Sequence, residues 1–248
     1  MTAPSGADFS PPVAVVTGAS RGLGAVISQF LAARGFTLIV NAREAESLAA
    51  HARRLSPFGA EIHEVSGDIS DPDVRARLHA EAEALRGVDL LVNNASELGP
   101  SPLPPLANIP VSELERIYAI NVAAPLGLIQ SLLPLLAVRH GLVVNISSDA
   151  AVGGYPGWGG YGASKAALDL LSLTLAHELE PSGVSVVAVD PGDMRTRMHQ
   201  EAYPGQDISD RPLPEITLPF WAWLLGQSPV SVSGHRFRAQ SDQWEVTA

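Results

Sequence analysis

The sequence predicts an α/β fold, in which a doubly wound parallel sheet of about seven strands carries helices on both faces. Short runs rich in β-branched residues alternate with helical patterns of a dozen or more residues, which implies right-handed crossovers between parallel strands. A glycine-rich turn joins the first strand to the first helix. Hydrophobic residues make up 46% of the 248 residues and charged ones 17%, so the chain can bury a large core as one domain.

The predicted elements follow one another in a regular order. Strands are predicted at 13–17, 37–41, 61–65, 88–92, 142–147 and 184–189. Helices are predicted up to Arg34, from Ala45 to Leu55, and over 72–86, about 112–138 and 161–179. The sequence shows no repeat and no dividing linker, so residues 1–248 are expected to form a single domain with a flexible N-terminal tail at 1–12.

Two proline-rich stretches interrupt this order, at 97–110 after the fourth strand and at 203–219 after the sixth. Loops this long in a compact domain are often functional. In an open α/β sheet, ligands bind beyond the carboxyl ends of the strands, where both stretches lie. Residues 193–219 are therefore predicted to form a substrate loop or lid.

Composition excludes several classes of function. The net charge of −10 argues against nucleic acid or an anionic membrane as a partner, because both are bound through basic patches. There is no cysteine, and none of the seven histidines belongs to a spaced cluster, so no metal is expected. The N-terminus lacks a signal-peptide pattern, and the apolar run at 132–138 is too short to span a bilayer. We expect a soluble, cytoplasmic protein.

The first turn, TGASRGLG at 17–24, has the pattern of a dinucleotide-binding loop. Gly18 would allow the sharp turn, Gly22 the close approach of a pyrophosphate, and Gly24 the packing of helix on strand. The helix N-terminus offers its free N–H groups to the phosphates. The same letters also contain G-x-S-x-G, the nucleophile elbow of α/β-hydrolases, with Ser20 as nucleophile. A hydrolase needs an oxyanion-hole loop from an earlier strand, which this sequence lacks, and a turn without a ligand is the third alternative.

The end of the second strand indicates which nucleotide binds. NAD-binding sites of this kind place an acidic residue there to hold the ribose 2′-hydroxyl. Here the strand ends in Asn41, Ala42 and Arg43, and the first acid is Glu44. Alanine leaves room for a 2′-phosphate, and the guanidinium groups of Arg43 and Arg21 suit one. We predict NADP(H) in preference to NAD(H). The alternative is that Arg43 is a solvated residue at the start of the next helix and binds no phosphate.

Tyr161 and Lys165 are four positions apart on a predicted helix, so their side chains share one face. A neighbouring ammonium favours the phenolate, and a lowered pKa would make Tyr161 an acid–base near neutral pH. The alternative is an exposed contact worth a few tenths of a kcal/mol. Tyr155 lies beyond a Pro-Gly break and has no such partner.

Two further polar residues accompany this pair. Ser148 follows the fifth strand, where its hydroxyl could bind a carbonyl oxygen together with the tyrosine. Asn121 lies within a helix, where asparagine is a mediocre helix former, and a buried asparagine can hold a water that links the lysine to solvent. The plainer alternatives are a strand-end cap for Ser148 and a helix-surface amide for Asn121.

Seven elements, over residues 13 to about 197, resemble the short-chain dehydrogenase/reductase family of Rossmann-fold oxidoreductases in order and spacing: TGASRGLG, Asp68-Ile69, NNAS (93–96), Asn121, ISS (146–148), YGASK (161–165) and PGDMRT (191–196). The resemblance implies that Asn121, Ser148, Tyr161 and Lys165 are catalytic. In the family, the Y-x-x-x-K tyrosine follows the active serine by thirteen positions, which selects Ser148 over Ser147.

The resemblance also implies contacts with the cofactor. Asp68 and Ile69 would meet the adenine end, Lys165 the nicotinamide ribose, and Thr196 with the Met194 backbone the carboxamide. The full set of predicted cofactor-binding residues is Thr17, Gly18, Ser20, Arg21, Gly22, Leu23, Gly24, Ala42, Arg43, Asp68, Ile69, Asn94, Ala95, Tyr161, Lys165, Pro191, Gly192, Met194 and Thr196.

Two features depart from the family pattern. Ser96 stands where the family usually has glycine, so the backbone there is expected to differ slightly. The C-terminal region, WAWLLGQSPVSVSGHRFRAQ, lacks the frequent late Gly-Gly end, which puts the usual tetramer contacts of that segment in doubt. A homodimer or homotetramer, formed through the helices at 112–138 and 161–179, is what the resemblance implies.

Taken together, these features predict hydride transfer between NADP(H) and a ketone or aldehyde, or the matching alcohol. Tyr161 would be the acid–base, with Ser148 on the carbonyl oxygen and Asn121 completing a proton relay. Substrate candidates are Ser148, Trp158 and Met198. The nearby Tyr203, Trp221 and Trp223 fit an apolar pocket, core packing or a subunit interface equally well. The alternative from another class is a nucleotide-binding sensor that has the fold without turnover.

Overall fold

The computed structural model describes residues 11–245, and it confirms the predicted α/β fold. The strands are β1 (Val13–Thr17), β2 (Thr37–Ala42), β3 (Ile62–Ser66), β4 (Leu90–Asn93), β5 (Leu142–Ile146), β6 (Ser185–Asp190) and β7 (Arg236–Arg238). In the described part of the chain they form one sheet in the order β3-β2-β1-β4-β5-β6-β7, and every neighbouring pair is parallel. The predicted tail lies outside the described residues up to residue 10.

Helices cover both faces of this sheet, as predicted. They are α1 (Gly22–Ala32), α2 (Ala45–Leu55), α3 (Pro72–Ala84), α4 (Val111–Tyr118), α5 (Ala124–Arg139), α6 (Ala150–Gly153), α7 (Gly159–Glu178), α8 (Arg197–Ala202), α9 (Leu218–Leu224) and α10 (Pro229–Val232). One apolar core joins the sheet to α1, α2, α9 and α10, and a second joins it to α3, α5 and α7. Alternate residues of each strand enter opposite cores, because successive side chains of a strand point to opposite faces.

The crevice between β1 and β4 is where the strand order reverses. The chain runs outward from β1 through β2 to β3, and then returns to β4 on the other side of β1. The loops after β1 and β4 therefore part and leave a space at the carboxyl end of the sheet, which is the ligand position in folds of this class.

The helix predicted at 112–138 is one helical run from 111 to 139, interrupted by a π-helical turn over Ala119–Ala123. Such turns occur mostly as single insertions within α-helices and are frequent at functional sites. The run is long and apolar enough to span a bilayer, with a mean hydropathy of 1.7 in its most apolar window. Its residues Leu128, Leu132 and Leu136 are buried in the second core, so packing against the sheet accounts for that apolarity.

The strand that the sequence pattern did not locate is β7. It is three residues long, RFR, and pairs with the end of β6. Two arginines flank a single buried phenylalanine, so neither hydrophobic alternation nor length marks it as a strand. It brings the C-terminal region, which departs from the family pattern, to the edge of the sheet beside β6.

Candidate active site

The turn between β1 and α1 packs closely on the end of β4, and two of its glycines have no room for a side chain. A Cβ on Gly24 would collide with the Gly18 carbonyl oxygen and the Asn94 amide, and a Cβ on Gly18 would lie 2.8 Å from Asn94 Nδ2. The backbone at Gly22 has a φ of +54°, a conformation that glycine adopts readily. A Cβ there would approach only Thr196, at 3.6 Å, so the turn faces open space on its ligand side.

Thr17 and Asn94 hold this crevice in shape. Asn94 Nδ2 donates to the carbonyl oxygens of Thr17 at 2.9 Å and Gly18 at 3.2 Å. The backbone N–H groups of Asn94 and Ala95 both donate to Thr17 Oγ1 at 3.0 Å. Beside them, α1 begins without a side-chain cap or an acidic residue in its first turn, so its N–H groups are available to an anion.

The two arginines that were predicted to bind a 2′-phosphate lie at the same end of the cavity. Arg21 Nη2 lies 3.2 Å from Glu44 Oε1, and Arg43 Nη1 lies 3.2 Å from Glu97 Oε2. Exposed ion pairs of this kind contribute at most about 1 kcal/mol, so a phosphate can compete for both guanidinium groups. Ala42, the last residue of β2, is buried and leaves room beside them.

Asp68 and Ile69 form the wall of the cavity after β3. Asp68 Oδ1 accepts hydrogen bonds from the Ser70 N–H at 2.9 Å and the Ser70 hydroxyl at 2.7 Å. Burial raises the pKa of Asp68, but these hydrogen bonds and the charges of Arg43 and Arg116 outweigh it, so the pKa lies below its usual value. Asp68 is therefore a carboxylate at neutral pH, held in one orientation.

Tyr161, Lys165 and Ser148 meet at the other end of the cavity, at the carboxyl end of β5. Lys165 is 1% exposed, and its Nζ donates to the Ile146 carbonyl oxygen at 2.8 Å. The same Nζ lies 5.5 Å from the centroid of the Tyr161 ring. Ser148 Oγ donates to Asp149 Oδ1 at 3.1 Å and accepts from the Ala150 N–H at 3.1 Å. Tyr161 and Lys165 are thus both buried, and the alternative of an exposed contact on the helix surface is wrong.

Burial sets the protonation of this pair. It raises the pKa of Tyr161 to about 12, against the hydrogen-bonding Ser96 and Ser148 side chains that lower it, and the charges of Asp190 and Asp149 act in the same direction as burial. Burial also lowers the pKa of Lys165 to about 8, against the charge of Asp169. The expectation that Lys165 lowers the pKa of the tyrosine toward neutral pH is therefore not met, because desolvation raises that pKa.

Asn121 lies in the π-helical turn and is completely buried, so the alternative of a helix-surface amide is wrong. Its Oδ1 accepts from the Glu97 N–H at 2.7 Å and from Ser96 Oγ at 3.1 Å. Its Nδ2 donates to the Glu97 carbonyl at 2.9 Å and to Ser164 Oγ at 2.9 Å. An amide side chain has two donors and two acceptor positions, and all four are used. The side chain therefore joins the loop after β4 to α7, instead of holding a water for Lys165.

Ser96 takes part in the site through its hydroxyl, which sequence reasoning missed. The hydroxyl donates to Asn121 Oδ1, and the Ser96 side chain also lowers the pKa of Tyr161 against the effect of burial. The departure from glycine was interpreted as a change in backbone. The hydroxyl contacts residues at least 25 positions away, so no local pattern predicts its role. The only sign in the sequence is that a serine stands where the family usually has glycine.

The segment after β6 closes one side of the cavity. It is lined by four residues for which the sequence predicts cofactor contacts, Pro191, Gly192, Met194 and Thr196. The Gly192 N–H donates to Asp190 Oδ1 at 3.0 Å, and Thr196 Oγ1 accepts from the N–H of His199 at the start of α8. These bonds fix the beginning of the predicted substrate loop, 193–219, and the residues just before it.

Aromatic residues line the substrate end. Trp158 packs edge-on against Tyr161, with ring centroids 5.8 Å apart, and lies 6.1 Å from Tyr203. Met198 belongs to the same apolar cluster. Trp221 and Trp223 do not, because both belong to the first core, on the opposite face of the sheet. Both rings contact Phe220, and Trp223 also contacts Phe237. For those two tryptophans, core packing is correct and the pocket interpretation is wrong.

Ser20 lies in the glycine turn at the cofactor end of the cavity and is buried. Across residues 11–245, no histidine side chain hydrogen-bonds to its hydroxyl. A serine hydrolase needs such a base within hydrogen-bond reach of the nucleophile. Within the described residues, Ser20 thus lacks the histidine base of a serine hydrolase.

These features belong to one continuous cavity of about 710 Å³, which is large enough for a cofactor and a small substrate. The predicted cofactor-binding residues line it, with the exception of Thr17 and Gly24, which support the turn from behind. The open glycine turn, the uncapped helix start and the two arginines fit a dinucleotide phosphate chain. The aromatic end, with Tyr161 at its inner limit, fits a small apolar molecule.

Comparison with known proteins agrees with this geometry. A family model described as short chain dehydrogenase matches residues 12–207. The chain is 39% identical over 194 residues to a rhamnolipid-biosynthesis 3-oxoacyl-[acyl-carrier-protein] reductase of Pseudomonas aeruginosa, covering 75% of this chain and 74% of that protein. It is 35% identical over 184 residues to a serine 3-dehydrogenase of Rhizobium radiobacter, covering 73% and 72%.

A solved structure is similar over nearly the whole chain. A short chain dehydrogenase of Shigella flexneri in complex with NADP superposes with a TM-score of 0.86 at 29% sequence identity, over 93% of this chain and 97% of that one. The resemblance of sequence and of fold thus extends through the cavity described above.

The four hydrogen bonds of Asn121 lead to a stability prediction. Replacing it in Asn121→Ala leaves buried partners on Glu97 and Ser164 unpaired, so we expect the free energy of unfolding to fall by about 2–4 kcal/mol. Urea unfolding measures the loss, and Asn108→Ala on the exposed surface is the control, expected to change stability by less than about 0.5 kcal/mol. An Asn121→Ala protein of native stability that lost only turnover would contradict the bridging role.

Proposed function

The chain belongs to the short-chain dehydrogenase/reductase family of oxidoreductases, and on that premise we propose that it is NADP(H)-dependent and reduces a ketone or aldehyde or oxidises the matching alcohol. The observation that carries the proposal is the position of Tyr161. Its phenol lies where the cofactor end and the aromatic end of one cavity meet, with Ser148 and Lys165 beside it.

In this proposal, Tyr161 is the acid–base. During carbonyl reduction its hydroxyl gives a proton to the substrate oxygen, and during alcohol oxidation the phenolate takes that proton back. Ser148 Oγ orients the same oxygen by turning its hydrogen from Asp149 toward the substrate. The nicotinamide cofactor, when bound, supplies or accepts the hydride. A phenol whose pKa is raised stays protonated at neutral pH, which is the form that reduction requires.

Lys165 and Asn121 support this acid–base in different ways. The Lys165 ammonium is held at β5 by the Ile146 carbonyl and faces the Tyr161 ring, where it opposes the effect of burial on the phenolate. Asn121 keeps α7 at a fixed distance from the loop after β4 through Ser164 and Glu97. Asn121 is therefore proposed as a positioning residue, and the proton relay does not depend on its amide.

NADP(H) is proposed over NAD(H) because two arginines and no acidic residue of β2 face the ribose corner. Arg43 follows Ala42 directly, and Arg21 reaches the same end of the cavity. A bidentate guanidinium suits a phosphate dianion, whereas Glu44 is already paired with Arg21. The similar Shigella flexneri protein was crystallised with NADP, which supports the same choice.

An apolar or aromatic carbonyl compound is proposed as the substrate. Trp158, Tyr203 and Met198 give that end of the cavity an aromatic and thioether surface. Ligand sites are mostly apolar, with a few polar groups that fix orientation, and Ser148 with Tyr161 would be those groups here. The two relatives named above act on different compounds by their names, so the cavity wall is the better guide.

Assembly and location follow as further proposals. We propose a homodimer or homotetramer formed through α4, α5 and α7, where Leu170 and Leu173 of α7 and Val138 of α5 are exposed apolar residues. A cytoplasmic location remains a prediction from the sequence. Light scattering of the purified protein and fractionation of cells test the two proposals.

The acid–base assignment predicts the behaviour of Tyr161→Phe. Loss of the hydroxyl removes the proton donor, so kcat for NADPH-dependent carbonyl reduction should fall by about 10²–10⁴-fold. Affinity for NADPH, measured by fluorescence titration, should change by less than about threefold, because the ring remains. Full turnover in this variant would refute the assignment. The native protein should also be tested with ketones, aldehydes, quinones and enones. If it binds NADPH but oxidises it with none of them, the nucleotide-binding sensor is favoured instead.

The cofactor preference predicts the behaviour of Arg43→Ala. If Arg43 makes a charge-assisted hydrogen bond to the 2′-phosphate, its loss should weaken NADPH binding by roughly 10–100-fold and leave NADH binding nearly unchanged. Arg53→Ala, an exposed arginine on α2, is the matched control and should alter neither. Equal losses for both cofactors, or a native preference for NADH, would contradict the choice of NADP(H).

A further inference from the structure

Arg236, in the short strand β7, joins three parts of the site that are distant in sequence. Its Nε donates to Asp169 Oδ2 of α7 at 2.8 Å, and its Nη2 donates to the Ser148 carbonyl oxygen at 2.8 Å. The same Nη2 lies 3.4 Å from Asp190 Oδ2 at the end of β6. The side chain is 27% exposed, so most of it is enclosed. The planar guanidinium presents N–H donors in several fixed directions, so it can bond to two carboxylates and a carbonyl oxygen at once. A lysine ammonium is a single point charge on a flexible stem and lacks this geometry.

The hydrogen bond from Arg236 holds the backbone at Ser148, which lies beyond the last paired residue of β5. The last paired residue of β5 is Ile146, and the Ser147 N–H then donates to the Val189 carbonyl at 2.7 Å. The Ser148 carbonyl lies beyond that point, where it accepts from Arg236 and from the Ala151 N–H at 3.1 Å. The backbone carbonyl of the serine is thus held by a residue 88 positions later.

The contacts with the two aspartates are electrostatic. The Asp190 side chain is almost fully buried, and that of Asp169 is largely so. A buried carboxylate is costly unless a cation pairs with it. Arg238 also approaches Asp190, at 3.9 Å, but its side chain is 70% exposed and contributes little. Arg236 therefore forms the closer and less exposed ion pair with Asp190, and it also pairs with Asp169.

Those carboxylates act on the acid–base pair. The charged groups that face Tyr161 are Lys165 from α7, Asp149 from the segment after β5, and Asp190 from the end of β6. After burial, which has the largest effect, Asp190 and Asp149 raise the pKa of Tyr161, because both disfavour a phenolate. Asp169 opposes the lowering that burial imposes on the pKa of Lys165.

We infer that Arg236 is a positioning residue of the active site, which orients Ser148 and neutralises the carboxylates beside the acid–base pair. The inference rests on the proposed role of Tyr161. It assigns a function to the C-terminal strand, whose sequence departs from the family pattern.

The test compares variants in the oxidation of an alcohol with NADP⁺, between about pH 6 and pH 10, where the rate rises as the tyrosine loses its proton. In Arg236→Met we expect kcat at a fixed pH to fall about tenfold or more, with NADP⁺ affinity within about twofold of native. The plot of log kcat against pH should move to higher pH by roughly half to one unit, since Asp190 loses its counter-charge.

Three further variants separate charge from shape. Arg236→Lys keeps the charge, so its pH profile should return toward the native position while part of the loss in kcat remains. Asp190→Asn removes the carboxylate and should move the profile to lower pH, and it keeps the test open if Arg236→Met does not fold. Arg238→Gln, the neighbouring exposed arginine, is the matched control and should behave as native.

Backbone hydrogen exchange gives a readout that needs no turnover. Amides at 148–151 should exchange faster in Arg236→Met than in the native protein, and at the native rate in Arg238→Gln. Equal losses of kcat in Arg236→Met and Arg236→Lys, without movement of the pH profile, would overturn the electrostatic role. Native exchange at 148–151 would overturn the orienting role. A native protein that oxidises no alcohol and reduces no carbonyl would instead contradict the proposed function.

Discussion

Burial of the Lys165 ammonium at the carboxyl end of β5 is the interaction on which the rest of the site depends. An ammonium removed from water is costly unless it finds an acceptor, and here the acceptor is the Ile146 carbonyl at 2.8 Å. This bond fixes the position of α7 across the sheet. Tyr161, one helical turn earlier, then faces the cavity, and Ser148, two residues beyond Ile146, comes to lie beside it. One buried cation thus places the acid–base and its partner.

The electrostatics of the site follow from how little water reaches it. Burial favours the neutral forms of both Tyr161 and Lys165, raising the pKa of the first to about 12 and lowering that of the second to about 8. Without a bound cofactor, the Tyr161 phenol is therefore protonated at neutral pH and can donate its proton. A lower pKa for Tyr161, which favours its phenolate, requires positive charge nearby and carboxylates whose charge is neutralised. Arg236 meets the second requirement at Asp190, which connects the edge of the sheet to the chemistry at its centre.

Local patterns in the sequence predicted most of the fold and the centre of the site. The strands, the turn from Gly18 to Gly24, and the pair formed by Tyr161 and Lys165 depend on spacings of a few residues. Contacts over long sequence separations escaped prediction. The bond from Ser96 to Asn121 forms only when the helical run at 111–139 packs on the loop after β4, and the bond from Asn121 to Ser164 only when α7 docks beside them. Strand β7 is too short and too charged to show a pattern, and the helix containing Trp221 gives no sign of which face of the sheet it covers.

The most direct measurement of the central claim is the transfer of deuterium to a carbonyl substrate from NADPH that carries deuterium at both positions of the nicotinamide C4. Mass spectrometry of the product alcohol, together with Tyr161→Phe as the matched variant, reports whether hydride moves within this cavity. We expect one deuterium on the carbinol carbon for each NADPH consumed by the native protein, and product formation lower by at least about 100-fold in the variant. Consumption of NADPH without labelled alcohol, or equal amounts of labelled alcohol formed by both proteins in the same time, would contradict the account.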